Sequence, residues 1–83
     1  MRFCGYVFTS DTDEQGRPEF DPYILDRCTD RDAATRFAIR EGFSRFWVAE
    51  MQKLTRRVGD KVTVVYVIAE IQAHTHSVQV VPA

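Results

Sequence analysis

Two stretches of the chain have the apolar pattern of β-strands that are buried on both sides. Arg2 to Thr9 alternates bulky apolar, aromatic and β-branched residues, with Phe3 and Val7 on one side. Lys61 to Gln72 is apolar on both faces: Val65, Val67, Ala69 and Ile71 point one way, and Val62, Val64, Tyr66 and Ile68 point the other. The Arg2 to Thr9 strand is predicted to be central in the sheet. One sheet face then needs cover. Either the segment that bears Phe20, Tyr23, Ile24 and Leu25 folds over Val64, Tyr66 and Ile68, or a second copy or another partner covers them.

A helical period runs from Thr29 to Arg57. Thr29 as the N-cap, with Asp32 three residues later, predicts the start of a helix, and Gly59 predicts its end. A core stripe falls within an arc of about 120° and comprises Ala33, Phe37, Phe43, Trp47, Met51, Leu54 and Val58. Arg36 and Arg40 intrude on this arc, so the helix is expected to bend or to change its buried face near Gly42.

The remaining segments are short. Ser10 to Glu19 predicts a solvated loop, and Phe20 to Leu25, interrupted by Pro22, predicts a short edge strand. Residues 73–77 predict a turn, and residues 78–81 predict a last strand. The expected fold is a single α+β domain. It is a two-layer sandwich with an antiparallel sheet of three to four strands, one long helix and the order β-(β)-α-β-β.

Composition and charge narrow the functional classes. The 83 residues are 45% hydrophobic and 28% charged, which predicts a packed globular domain, and the formal net charge of −1 gives no bulk-charge case for binding nucleic acid or anionic membrane. The charge is uneven, because residues 1–29 carry −3 and residues 30–57 carry +3. No apolar run has the length of a signal peptide or a membrane span, so a cytoplasmic protein with reduced Cys4 and Cys28 is expected.

Two motifs carry weak metal-binding signals. His74 and His76 stand two residues apart and could bind zinc or copper, but such a site needs about four ligands, which favours a surface turn with solvated histidines. Residues 11–16 (DTDEQG) resemble the first half of a calcium loop. The twelfth position holds Pro22 in place of the bidentate glutamate, which favours an ordinary acidic turn.

The predicted helix is basic. It carries Arg36, Arg40, Arg45, Lys53, Arg56 and Arg57 beside Phe46, a mixture that can bind phosphates and stack on bases. Asp32 with Arg36, and Glu41 with Arg45, stand four residues apart and favour a solvated, paired surface instead. Neither Ser10 nor Ser44 has a neighbouring histidine, and no catalytic or cofactor motif stands out, so we expect no enzymatic activity and no cofactor.

These observations favour a non-enzymatic protein-binding module that acts as an inhibitor or adaptor on a larger protein. By size alone it is associated with small inhibitors, including virus-encoded proteins that block host defences. The apolar faces also allow a homodimer through the sheet. The expected contact residues are Arg36, Arg40, Phe46, Tyr66, Asp11, Asp13 and Glu14. The alternatives are a nucleic-acid binder that uses the basic helix, which the net charge disfavours, and a small metal-binding protein that uses His74 and His76.

Overall fold

The computed structural model describes residues 1–77 and shows a three-stranded antiparallel sheet with one short helix. The elements are β1 (Arg2–Thr9), α1 (Arg31–Arg40), β2 (Arg45–Val58) and β3 (Lys61–Thr75), and the sheet order is β1-β2-β3. The α+β class, the bounds of β1 and the start of β3 are confirmed. β3 continues to Thr75, through the predicted turn, and the strand predicted over residues 78–81 lies outside the described residues.

The prediction of one long helix from Thr29 to Arg57 is wrong, because α1 ends at Arg40. Its N-cap is Asp30 rather than Thr29, and the Asp30 carboxylate accepts a hydrogen bond from the Ala33 amide at 2.6 Å. Glu41 caps the C-terminus, and Gly42 follows with φ +94°. Glycine adopts this left-handed conformation without a Cβ penalty, so it ends the helix and lets the chain turn back into the sheet. The edge strand predicted over residues 20–25 is also wrong, since residues 22–25 form a turn.

β2 is the central strand and is buried on both sides. The central position predicted for Arg2–Thr9 is therefore wrong, because β1 is an edge strand whose apolar residues pack against α1 and the loop instead of between two strands. On one side, Phe46 and Val48 pack with Ala34 and Ala38 of α1, and all four are fully buried. We call this side of the sheet the helix face. Side chains alternate along a strand, so Ala49 and Met51 lie on the opposite side, where both are also fully buried.

The chain itself covers that second side, which we call the loop face. The cover segment, residues 19–27, begins where the Thr9 hydroxyl donates to the Glu19 carbonyl oxygen at 2.9 Å. Further on, the Tyr23 ring meets the Tyr66 ring edge to face at 5.4 Å, and the Arg27 guanidinium lies 5.2 Å from the Tyr66 ring. Of the two kinds of cover that the sequence left open, the folded-back loop therefore protects this end of the sheet.

Two bulges interrupt the ladders. One lies in β1 between Phe3 and Gly5, and the other lies in β3, where Glu70 has φ +52°. Beyond the β3 bulge, His74 pairs with Phe46 on the helix face. The extra residue reverses the alternation, so Ile71 does not share a face with Val65, Val67 and Ala69 as expected.

The β2–β3 hairpin extends beyond the helix. We call residues 55–63 the arm, and every one of them is exposed. Val58 pairs with Lys61 across a two-residue turn, in which Gly59 has φ +60°. The molecule is correspondingly elongated, with extents of 65 × 30 × 19 Å.

Candidate interaction surface

The arm presents apolar and cationic side chains together. Val58 is 67% exposed and Val62 is 60% exposed, on either side of the turn. Arg56, Arg57 and Lys61 surround them, and none of the three forms an ion pair within residues 1–77. By alternation, Val58 lies on the helix face with Arg56 and Lys61, and Val62 lies on the loop face with Arg57. Each face of the arm therefore presents one exposed valine beside cations, which suits apolar contacts with an acidic rim.

The two outer edges of the sheet differ. Cys28 closes part of the β1 edge, because Tyr6 and Cys28 exchange two backbone hydrogen bonds of 2.9 and 2.7 Å. Within residues 1–77, no strand lies beside the outer edge of β3. The turn makes Val58 and Lys61 a hydrogen-bonded pair, so by alternation the backbone groups that point outward from β3 belong to Val62, Val64, Tyr66 and Ile68.

The structure separates the expected contact residues. Arg36 and Arg40 are exposed on α1 and line a shallow groove with Arg27. Tyr66 is half-buried, and its hydroxyl accepts a hydrogen bond from Arg27 at 3.4 Å. Phe46 is fully buried in the core, so it cannot contact a partner from this position.

The acidic residues belong to a local turn. The Asp13 carboxylate accepts hydrogen bonds of 2.9 Å from the backbone N–H groups of Gln15 and Arg17. It also forms an ion pair with the Arg17 side chain at 3.2 Å. Asp11 and Glu14 are exposed. The Asp13 carboxylate is therefore occupied by two backbone N–H groups of the turn and by the Arg17 side chain. This geometry agrees with an acidic turn rather than an open calcium loop.

The two histidines do not share a surface turn. His74 lies in β3 with its ring stacked on Phe46 at a centroid distance of 5.4 Å, and its Nε2 atom is buried without a hydrogen-bond partner among the described residues. His76 is exposed beyond the strand, where its backbone N–H donates a hydrogen bond to the Ser44 carbonyl oxygen. No group of three histidine, cysteine, aspartate or glutamate side chains within residues 1–77 is placed to hold a metal ion.

The basic residues are divided between two elements. Arg36 and Arg40 belong to α1, whereas Arg45, Lys53, Arg56 and Arg57 belong to β2. The helical pair expected between Glu41 and Arg45 therefore does not exist, and neither does a continuous basic helix. In the part of the chain that the structure describes, no helix is long and apolar enough to cross a membrane.

Cys28 has a raised pKa. Burial of the thiol is the main cause, and the charges of Asp26 and Asp30 add to it. Both Cys28 and Cys4 are free. Since the thiolate is the nucleophilic form, a raised pKa makes Cys28 a poor nucleophile at neutral pH.

We therefore expect slow alkylation of Cys28 by iodoacetamide at neutral pH and a pH midpoint above that of an ordinary cysteine. The change Asp26→Asn removes one of the charges that raise the pKa, so it should shift the midpoint down and speed the reaction severalfold. Peptide mass spectrometry of the labelled chain measures both quantities. The change Asp60→Asn, on the arm, is the control and should leave the rate unchanged. Rapid neutral labelling of Cys28 in the unsubstituted chain would contradict this assignment.

The arm was not among the expected contact residues. Gly59 was interpreted as a helix end, yet a Gly-X pair between two apolar alternating runs is also a hairpin signal. Comparison with known proteins adds no relative from which a role could be transferred. No protein-family model, curated protein or solved structure matches this chain.

Proposed function

We propose that this chain is a non-enzymatic protein-binding module that acts as an inhibitor or adaptor on a larger protein, with the arm as its main contact. One observation carries the proposal: residues 55–63 are all exposed, and they hold Val58 and Val62 beside cations that form no ion pair within residues 1–77. An isolated two-stranded hairpin is marginally stable in water, so a partner that covers the arm would also order it.

The composition of the arm defines the partner surface. Full burial of a valine side chain contributes about 1.5–3 kcal/mol, so Val58 and Val62 supply the apolar part of the binding energy. Arg56 and Arg57 project from β2, and arginine is enriched in interfaces because it combines charge with planar hydrogen bonding. Because Val58 and Val62 lie on opposite faces of the arm, the best match is an apolar cleft that takes the arm from both sides and has carboxylates at its rim.

Arg36 and Arg40 remain a second proposed contact. Both are exposed on α1, outside the arm. Reversing both charges would weaken binding to a partner that reaches the helix and would leave a partner confined to the arm unaffected. The exposed Asp11 and Glu14, with Asp13, are the proposed acidic contacts.

A nucleic-acid partner is the second candidate. The observation that favours it is the position of Arg56, Arg57 and Lys61 on a projecting β-ribbon, an element that can enter a DNA groove. The net charge of −1 opposes it. Electrophoretic shifts with single- and double-stranded DNA and RNA at low salt test this candidate, because binding through phosphates must weaken steeply as salt rises.

The change Val58→Asp is expected to reduce binding to the larger protein at least about tenfold, because a carboxylate replaces an apolar contact among the arm cations. Proteins recovered with the unsubstituted chain from its native host identify the partner, and titration with the purified partner gives the affinity. Ile24→Asp is the matched control, since Ile24 is a 78% exposed apolar residue outside the arm. Equal affinity for the Val58→Asp variant and the unsubstituted chain would refute the role of the arm.

A further inference from the structure

Among residues 1–77, nothing gives the outer edge of β3 the usual protection of an edge strand. Natural edge strands avoid pairing with other chains through charges, prolines or bulges. From Val62 to Ala69 the sequence VTVVYVIA contains no charge, no proline and no glycine. The bulge at Glu70 ends this regular segment, so eight consecutive residues form an edge on which a further strand could pair.

We infer that two copies of this chain pair antiparallel through the outer edges of β3, in a register centred on Val65. This register places Val64 opposite Tyr66 of the second copy, and Val62 opposite Ile68 of the second copy. All four residues direct their backbone groups outward, so each such pair can exchange two hydrogen bonds. The inference does not depend on the arm binding a larger protein.

The side chains suit this register. On the loop face, the aromatic ring of Tyr66 meets the β-branched Val64, a favourable cross-strand combination, and the aliphatic Val62 meets Ile68. On the helix face, Val65, which is 42% exposed, meets its own counterpart on the second copy. A register centred on Tyr66 would instead set Val62 opposite Glu70 and draw the bulge into the ladder.

Charge complementarity points to a second copy in antiparallel orientation. Lys61 and Glu70 flank the uncharged segment, one at each end. Glu70 lies 3.8 Å from Arg31 of its own chain, but its side chain stays largely exposed and open to a second cation. Antiparallel pairing centred on Val65 brings Lys61 of each copy beside Ala69 and Glu70 of the other, so opposite charges meet twice. Parallel pairing would bring like charges together at both ends, which costs free energy.

The Lys61→Glu and Glu70→Lys variants together form a sharp test. Each alone converts both end contacts into repulsions and should weaken the dimer about tenfold. An equimolar mixture of the two variants restores attraction at both ends, because one copy then supplies two glutamates and the other supplies two lysines. Sedimentation velocity over a concentration series, with one variant carrying a fluorescent label, measures both results. The unsubstituted chain should approach about twice its monomer mass of 9.6 kDa.

Two further variants separate edge pairing from a general loss of structure. Val64→Pro removes an outward N–H and should abolish the dimer while the far-ultraviolet circular dichroism stays that of a folded sheet. Arg36→Glu, on α1, reverses a charge away from β3 and should leave self-association unchanged. Val58→Ala should also leave it unchanged, because Val58 belongs to β2 and alanine adds no charge beside Lys61, so failure of the arm and failure of the dimer are distinguishable.

Three results would overturn the inference. The first is a monomer at every concentration, and the second is a dimer that Val64→Pro leaves intact. The third is a pair of charge variants that fail to associate when mixed. A monomer that dimerises only after removal of residues 78–83 would identify that segment as the occupant of the edge. A monomer whose binding to the larger protein is lost with Val64→Pro would assign the edge to that partner.

Discussion

Replacing Phe46 with alanine is expected to lower the free energy of unfolding by about 3–5 kcal/mol, the cost of truncating a buried aromatic residue. Phe46 is fully buried, packs with Ala34 and Ala38, and stacks on His74. A domain of this size is stable by roughly 4–12 kcal/mol in total, so the loss is a large part of it. The alanine variant should therefore unfold at a much lower urea concentration.

Phe3→Ala is the matched control for this substitution. Phe3 is 50% exposed and meets Tyr6 edge to face, so the same truncation should cost about 1 kcal/mol or less. Urea titration followed by circular dichroism and by the fluorescence of Trp47, the single tryptophan, gives both values. Equal losses at the two positions, or an unchanged midpoint for Phe46→Ala, would return Phe46 to the candidate contact residues.

Residues 45–58 form a strand although their pattern predicts a helix, and this difference has a physical cause. A central strand covered on both sides is apolar at successive positions, and such a run satisfies helical and strand periods alike. Phe46, Val48 and Met51 are all fully buried, although Phe46 and Val48 face one side of the sheet and Met51 faces the other. The aromatic and β-branched residues of the run and the helix-ending Gly42 were the signals that favoured a strand.

The position of the cover segment on the sheet depends on long-range contacts, which a local sequence pattern does not specify. The apolar residues of this segment make a cover over Tyr66 one of two alternatives, but they cannot decide between them. The contact of Tyr23 with Tyr66 depends on where the sheet and the bridge from Cys28 to Tyr6 place the loop. The sequence identifies β1 and β3 as strands because both are rich in aromatic and β-branched residues. Their type could be predicted, whereas their neighbours in the sheet could not.

Part of the candidate interaction surface could also be predicted from the sequence, and part could not. The exposure of Arg36 and Arg40 follows from their charge and could be foreseen. The exposure of Val58 could not be foreseen, because a helical stripe predicts that this residue is buried. Val58 is exposed because β2 and β3 extend as a hairpin beyond the part of the sheet that α1 covers.

Replacing Gly5 with alanine is expected to destabilise the fold by at least about 3 kcal/mol, because backbone strain adds to a collision. Gly5 follows the bulge in β1 with φ +138°, a conformation that residues with a Cβ rarely adopt. A Cβ built there would lie 2.9 Å from the Cys28 carbonyl oxygen. That oxygen accepts the Tyr6 N–H, so relief of the collision would break the bridge that holds the end of the cover segment against β1.

Gly16→Ala separates the collision from the strain. Gly16 also has a positive φ, +79°, but a Cβ there meets nothing within 4 Å, so only a backbone cost of about 1–2 kcal/mol is expected. Urea titration of both variants gives the difference directly. Amide hydrogen exchange should show lost protection at Tyr6 and Cys28 in the Gly5 variant and unchanged protection there in the Gly16 variant. Equal stability of the two variants, with protection at Cys28 retained in both, would mean that the close approach of Cys28 to β1 is not a fixed feature of the fold.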